Sequence, residues 1–227
     1  MSEKVQTMKW TRIDVDGDDA VAYLQGQLTQ DLTLIDTAPR WSLLLNPDSV
    51  VVSSCLVSVS THGISMVVEQ ELAENTLVRL RRFLLRSKCD FQVVEDIEGP
   101  FATVAQRVIE GWPGAPEFAK ALTPHSFGAT LVKEAVSFTK GCFTGQELVG
   151  RLDARGSNLP WRLARISGAS AEWSDDWVRS IGPSGPQGVT TSTVVDGTSV
   201  VLAIVHRSLL ADGAPQAPPE VVMEAIA

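Results

Sequence analysis

The sequence predicts an α+β fold of largely antiparallel sheets. Three observations carry this. Period-2 segments and amphipathic helical segments mix without the strict strand–helix–strand rhythm of a doubly wound sheet. Two apolar segments, 50–60 and 64–69, are joined by only Thr61, His62 and Gly63, a hairpin distance. After Pro160 the chain turns β-like, with 161–168, 187–195 and 198–206 separated by Gly/Ser/Pro stretches such as 180–188.

The elements follow in order. KWTRIDV at 9–15 alternates as a strand does, and Asp16-Gly17 turns the chain. Asp18 or Asp19 is placed to cap a helix in which Ala20, Leu24 and Leu28 share a face. Trp41–Leu45 reads as a short strand that ends at Pro47-Asp48. Residues 71–86 form an amphipathic helix with Leu72, Leu77, Leu80 and Leu84 on one side. Phe91–Glu95 is a further strand, and 101–112 reads as a helix stopped by Pro113-Gly114. A Pro- and Gly-punctuated connection leads to a strand at Val136–Phe138. The Ala/Pro-rich C-terminal residues read as a loose tail or a final edge strand.

The chain has 227 residues, with 44% hydrophobic and 20% charged residues, a balance that supports a packed core. Its formal net charge of −8 disfavours direct nucleic-acid binding, which needs phosphate neutralisation. RLRRFLLR at 79–86 is the best basic patch, and it reads as a solvated helix face. Cys55, Cys89 and Cys142 are widely spaced and odd in number, so neither a disulfide framework nor a zinc site nor an all-cysteine cluster site is expected. His62, His125 and His206 stand alone, which gives no metal-ligand pattern. The N-terminal MSEKVQTMKW has no apolar signal core, and no segment is long enough to span a bilayer. Together these predict a protein of the reducing cytoplasm. G-x-G-x-x-G, P-loop and G-x-S-x-G motifs are all missing.

KGCFTGQE at 140–147 holds the strongest candidate residues. Thr144-Gly145-Gln146-Glu147 has the S/T-x-x-E form of a capping box, predicting a helix over 145–153 with Leu148 and Leu152 buried. Cys142 then lies just before a helix start with Lys140 close by, and both favour a thiolate. Gly141 and Gly145 permit close backbone approach. Two readings of Cys142 stay open here: a working thiol, or a small buried hydrophobe. Cys55 and Cys89 read as core residues. Glu147, Arg151 and Arg155 recur every four residues and share a face. That face suits a ligand with an amide-like ring edge and carboxylates, or it is a plain surface ion-pair ladder.

Three ordered stretches resemble the YgfZ family of folate-binding proteins, relatives of the glycine cleavage T protein and of mitochondrial iron–sulfur assembly factors. They are DAVAYLQGQLTQDL at 19–32, RVIEGWP at 107–113 and VSFTKGCFTGQELVGRLDARG at 136–156. GVTTS at 188–192 and VVLAIVHR at 200–207 are a weaker fourth. The resemblance implies a T-protein-like cloverleaf with a small C-terminal β-barrel. It implies a folate-binding region at 1–158, made of two intertwined subdomains that divide near 98, and a barrel module at 159–227. It implies tetrahydrofolate or a derivative as ligand, and a role in assembling or repairing iron–sulfur enzymes, including those that modify tRNA. The expected partners are iron–sulfur assembly proteins or client enzymes. By motif, Cys142 is the working thiol with Lys140 beside it, and Gln146, Glu147, Arg151, Arg155 and Asp31 fall in the ligand-binding set.

The chain departs from that pattern in three ways. Where the T protein carries an aspartate pair, this sequence has Ser53 and Ser54. A hydroxyl cannot replace a carboxylate in acid–base work near neutral pH, which argues against aminomethyltransferase activity. Phe143 stands where Tyr is usual, and the chain is short for the family. A folate-dependent one-carbon transferase is the runner-up reading, and an interaction scaffold that has lost folate binding is the third.

Overall fold

A computed structural model describes residues 5–35, 38–61, 63–156, 158–168, 175–210 and 221–227. His62 and most of the Ala/Pro-rich tail lie outside these residues. The N-terminal half builds a five-stranded antiparallel sheet from β1 (Trp10–Asp16), β2 (Arg40–Leu45), β3 (Val51–Val59), β4 (Gly63–Glu69) and β5 (Asp90–Ile97). Its order is β2-β3-β4-β1-β5. α1 (Ala20–Gln27) and α2 (Gln70–Phe83) cover one face. There Ile13, Val15, Leu24, Leu28 and Leu80 are fully buried. Each such side chain contributes about 2 kcal/mol on leaving water. Tyr23 ties the two helices by donating to the Leu80 carbonyl at 2.6 Å.

Asp19 sits at the N-cap of α1 but does not cap it. Its carboxylate accepts from the Lys88 backbone N–H at 2.8 Å instead, so it pins the α2–β5 connection. The basic run 79–86 is also not uniformly a solvated face, because Arg79 is only 5% exposed.

The middle of the chain is more helical than its sequence predicts. α3 (Val104–Ile109) is shorter than expected, because Thr103 and Gln106 form a capping box that starts it late. α4 (Ala115–Phe118) and α5 (Ala129–Ala135) lie in the stretch read as a connection. Val136 ends α5, so the strand expected at Val136–Phe138 is not formed. α6 (Gln146–Arg155) follows. These helices bury Trp112, Phe118, Phe127, Leu131 and Val149 in a second core with Leu43 and Leu45 of β2.

β6 (Trp161–Gly168), β7 (Gly188–Val195), β8 (Thr198–His206) and β9 (Val221–Ala225) form a four-stranded antiparallel sheet in the order β7-β8-β6-β9. β9 is the final edge strand. Asp196 and Gly197, at φ 49° and 77°, make the two-residue turn of the β7–β8 hairpin. An unforeseen helix, α7 (Asp175–Ser180), packs beside it. Closure of this sheet into a barrel is not seen among the described residues.

The second core also takes in Leu163, Leu202 and Ile204 from this sheet. A buried polar knot reinforces the join. Arg107 Nη1 meets Glu117 Oε2 at 2.6 Å, Arg107 Nη2 donates to Thr191 Oγ1 at 2.9 Å, and Thr191 Oγ1 donates to Glu117 Oε1 at 2.6 Å.

Candidate functional site

The end of α1 and the turn that follows it, reading QGQLTQD at 25–31, are the receptor for the KGCFTGQE segment. Lys140 Nζ donates to the carbonyls of Gln25, Leu28 and Gln30 at 2.7, 2.7 and 2.8 Å. An ammonium has three donors, and all are used. Burial pushes the Lys140 pKa down to about 8, with Asp31 pulling the other way. Lys140 therefore anchors the loop, its ammonium committed to the turn. Around it, Thr29 Oγ1 donates to the Ala135 carbonyl at 2.6 Å and accepts from Leu43 N at 2.8 Å. The Ser137 N–H reaches the Thr29 carbonyl at 3.0 Å.

Thr144 supplies the second anchor. Its N–H donates to the Gly26 carbonyl at 3.0 Å, and its hydroxyl is 3.4 Å from Gly26 O and from Gln27 Oε1. The hydroxyl is thus turned to a tertiary partner, and the expected capping box is not formed. Gly145 is the N-cap of α6 instead, in the left-handed region at φ 84°. A Cβ there would stand 2.7 Å from the Asn46 carbonyl oxygen, so only glycine fits. Ser49 Oγ donates to the Gly145 carbonyl at 2.6 Å. Gly141 has no such demand, because a Cβ there meets nothing within 4 Å.

Cys142 lies between these anchors and is exposed. Its exposure removes the buried-hydrophobe alternative. Helix α6 begins four residues further on, more distant than the sequence predicted. Cys55 is a core residue as expected, its thiol pushed up to about 12 by burial. Cys89 is half-buried rather than core, and burial raises its pKa too. Among the described residues, no group of acidic, His or Cys side chains is arranged to hold a metal.

The remaining candidates divide between two places. Glu147 and Arg151 pair at 2.8 Å on the solvent side of α6, with Arg155 exposed at its end. Gln146 is half-exposed at its start. Val149, rather than Leu148 or Leu152, is the residue of α6 that is fully buried. Asp31 is engaged locally. Its carboxylate accepts from Thr33 Oγ1, Gln25 Nε2 and Thr33 N at 2.7, 2.9 and 3.0 Å, and these bonds hold it below the usual carboxylate range. Ser53 is buried, with its hydroxyl 2.8 Å from that of Thr76, and Ser54 is also buried.

Sequence reasoning passed over Arg79. Its Nη1 donates to Gln27 Oε1 at 3.2 Å, the same oxygen that Thr144 approaches. Its guanidinium also lies 4.0 Å from the Phe83 ring centre. The i,i+4 spacing of Arg79 and Phe83 was a visible signal of that stacking.

No family model matches the chain. An uncharacterised protein of Haemophilus influenzae is 25% identical over 199 residues, covering 70% of this chain and 71% of its own length. The tRNA-modifying protein YgfZ of Yersinia pestis is 23% identical over 285 aligned positions, covering 89% of this chain and 84% of that protein. Those 285 positions exceed the chain's 227 residues by 58, so the relative carries at least that many positions that are missing here. The crystal structure of glycine cleavage system aminomethyltransferase T from Bartonella henselae matches with a TM-score of 0.58 at 12% identity, over 98% of this chain and 86% of that one. At that identity the likeness is one of fold. The chain is a distant homologue of the YgfZ proteins, built on the fold of the glycine cleavage aminomethyltransferase.

Proposed function

We propose that this chain is a folate-binding accessory protein that supports iron–sulfur cluster assembly or repair, and through it the enzymes that modify tRNA, with Cys142 as its working thiol. The observation that carries the reading is an exposed thiol on a loop fixed at both ends. Lys140 and Thr144 lock the loop to the QGQLTQD turn, and Cys142 between them is left free. A soft sulfur ligand presented this way suits a sulfur or iron held by a partner protein. The tRNA context rests on the YgfZ relative, whose name is tRNA-modifying protein. The same reading takes residues 1–158 as the folate region and the C-terminal sheet as the counterpart of a small barrel.

Folate suits the donors of α6 but not its walls. Gln146 and Glu147 match an amino–amide ring edge, and Arg151 and Arg155 match carboxylates. Yet the Arg151 and Glu147 side chains are 53% and 89% exposed and already paired with each other. Folate would lie against an open surface.

Complementation tests the reading. The chain should restore growth to cells with an iron–sulfur maintenance defect, and an equally abundant Cys142→Ala variant should not. Full rescue by Cys142→Ala would sink it. The transferase alternative needs a catalytic acid that Ser53 and Ser54 do not supply, so folate-dependent aminomethyl turnover would reverse the ranking. Titration calorimetry with tetrahydrofolate separates both from a bare scaffold, which would give no binding heat.

A further inference from the structure

Helix α6 presents two faces. Glu147, Arg151 and Arg155 follow one line along it, and Val149, Leu152 and Asp153 fall on the opposite side. On that opposite side a cavity of about 470 Å³ opens between α6, α5, the turn at Pro124–Ser126 and the start of β6. Its size falls in the range of small-molecule sites. Val132, Val136, Phe138 and Leu152 give it apolar walls.

Phe138 is the wall that solvent reaches most, at 41% exposed. Its segment is pinned on both sides. The Ser137 N–H holds the Thr29 carbonyl at 3.0 Å, and Lys140 holds the carbonyls of Gln25, Leu28 and Gln30. The backbone that carries the ring is therefore set before any ligand arrives, and covering the ring removes apolar surface from water.

Cations outnumber acids here. Lys133 and Arg162 line the cavity against one carboxylate, that of Asp153. Arg162 is held in place by donating Nη1 to the His125 carbonyl at 2.8 Å. Lys133 is exposed and pairs with no acid among the described residues. Asp153 is half-exposed and stands 4.0 Å from His125 Nε2, beyond hydrogen-bond reach. Burial holds the His125 pKa below its ordinary value, with Asp153 raising it and Arg162 lowering it, so the imidazole adds no charge at neutral pH.

We infer that this cavity binds an amphipathic organic anion, its apolar body among Val132, Val136, Phe138 and Leu152 and its acidic head on Lys133. The Lys133 ammonium is open to solvent on a flexible stem, so a head group reaches it without rearranging the core. The site lies across α6 from the proposed folate face and holds whether or not folate binds there.

Fluorescence titration with 8-anilinonaphthalene-1-sulfonate, beside the uncharged N-phenyl-1-naphthylamine, tests this. The two probes share an aromatic body and differ in the sulfonate. Neither carries a pterin, so the result is separate from that of any folate titration. The sulfonate probe should bind saturably. Lys133→Gln should weaken it about threefold or more and leave the neutral probe unchanged, and Asp153→Asn should tighten it. Ala129→Trp, at an exposed residue of the rim, should remove the binding of both probes. All three substitutions fall on exposed residues, where the fold tolerates change. The inference is overturned if the sulfonate probe shows no saturable binding at millimolar concentration. It is equally overturned if the Lys133→Gln or the Ala129→Trp protein binds that probe like the wild type, or if Asp153→Asn weakens it.

Discussion

Replacing Lys140 with Met removes the ammonium and keeps most of the apolar stem. Three carbonyls, of Gln25, Leu28 and Gln30, then lose a charged donor. A buried acceptor left short costs about 1–3 kcal/mol. The low end is taken for each of the three carbonyls. The expected loss is about 3 kcal/mol at pH 7. With a urea slope of about 2 kcal/mol per molar, the unfolding midpoint falls by about 1.5 M.

The pH dependence adds an independent check. Lys140 titrates at about 8 in the fold against 10.5 in the unfolded chain. Between these values the unfolded state holds the proton more often, so stability rises with pH. From pH 7 to 9.5 the wild type should gain about 2 kcal/mol from this group, a gain the Met variant lacks. The gap between the two proteins should therefore widen by that amount. A loss below about 1 kcal/mol at pH 7 would refute the clamp, and a gap that stays flat or narrows toward pH 9.5 would refute the lowered pKa of Lys140.

Three further outcomes follow from the geometry. Glu117→Gln should cost about 3–5 kcal/mol by urea unfolding, because it strands the buried Arg107 guanidinium; a cost under about 1 kcal/mol would show that the knot does not hold the middle helices to the C-terminal sheet. Gly145→Ala should cost about 2 kcal/mol, from its left-handed φ and the nearby Asn46 carbonyl, and Gly141→Ala should stay within about 0.5 kcal/mol; equal effects would contradict the loop geometry. Alkylation mapped by mass spectrometry should label Cys142 first, then Cys89, and Cys55 only on unfolding; early labelling of Cys55 would contradict the core described for β3.

The strands were legible because alternation is local. KWTRIDV buries Ile13 and Val15 and exposes Arg12, as its spelling implies. α5 was hidden because it spans only seven residues, entered from Gly128 at φ 123° and preceded by a Pro-containing turn. Thr144 misled because its S/T-x-x-E spelling is sound, yet its hydroxyl went to Gly26 and Gln27, more than a hundred positions upstream. Lys140 misled in the same way, since the carbonyls that take its charge lie 110 to 115 positions away. Arg79 looked like one member of a solvated basic run until Phe83 and Gln27 were seen to bury it. What the sequence left unread at this site is long-range polar contact, which no local pattern encodes.

The central claim is that the Cys142 thiol works in support of iron–sulfur-dependent tRNA modification. Its most direct test is mass spectrometry of tRNA from cells that lack this chain, carrying either the wild type or Cys142→Ser at equal abundance. The account predicts that the wild type restores the modified nucleosides made by iron–sulfur enzymes, and that Cys142→Ser leaves them depleted. Equal restoration by both would contradict it.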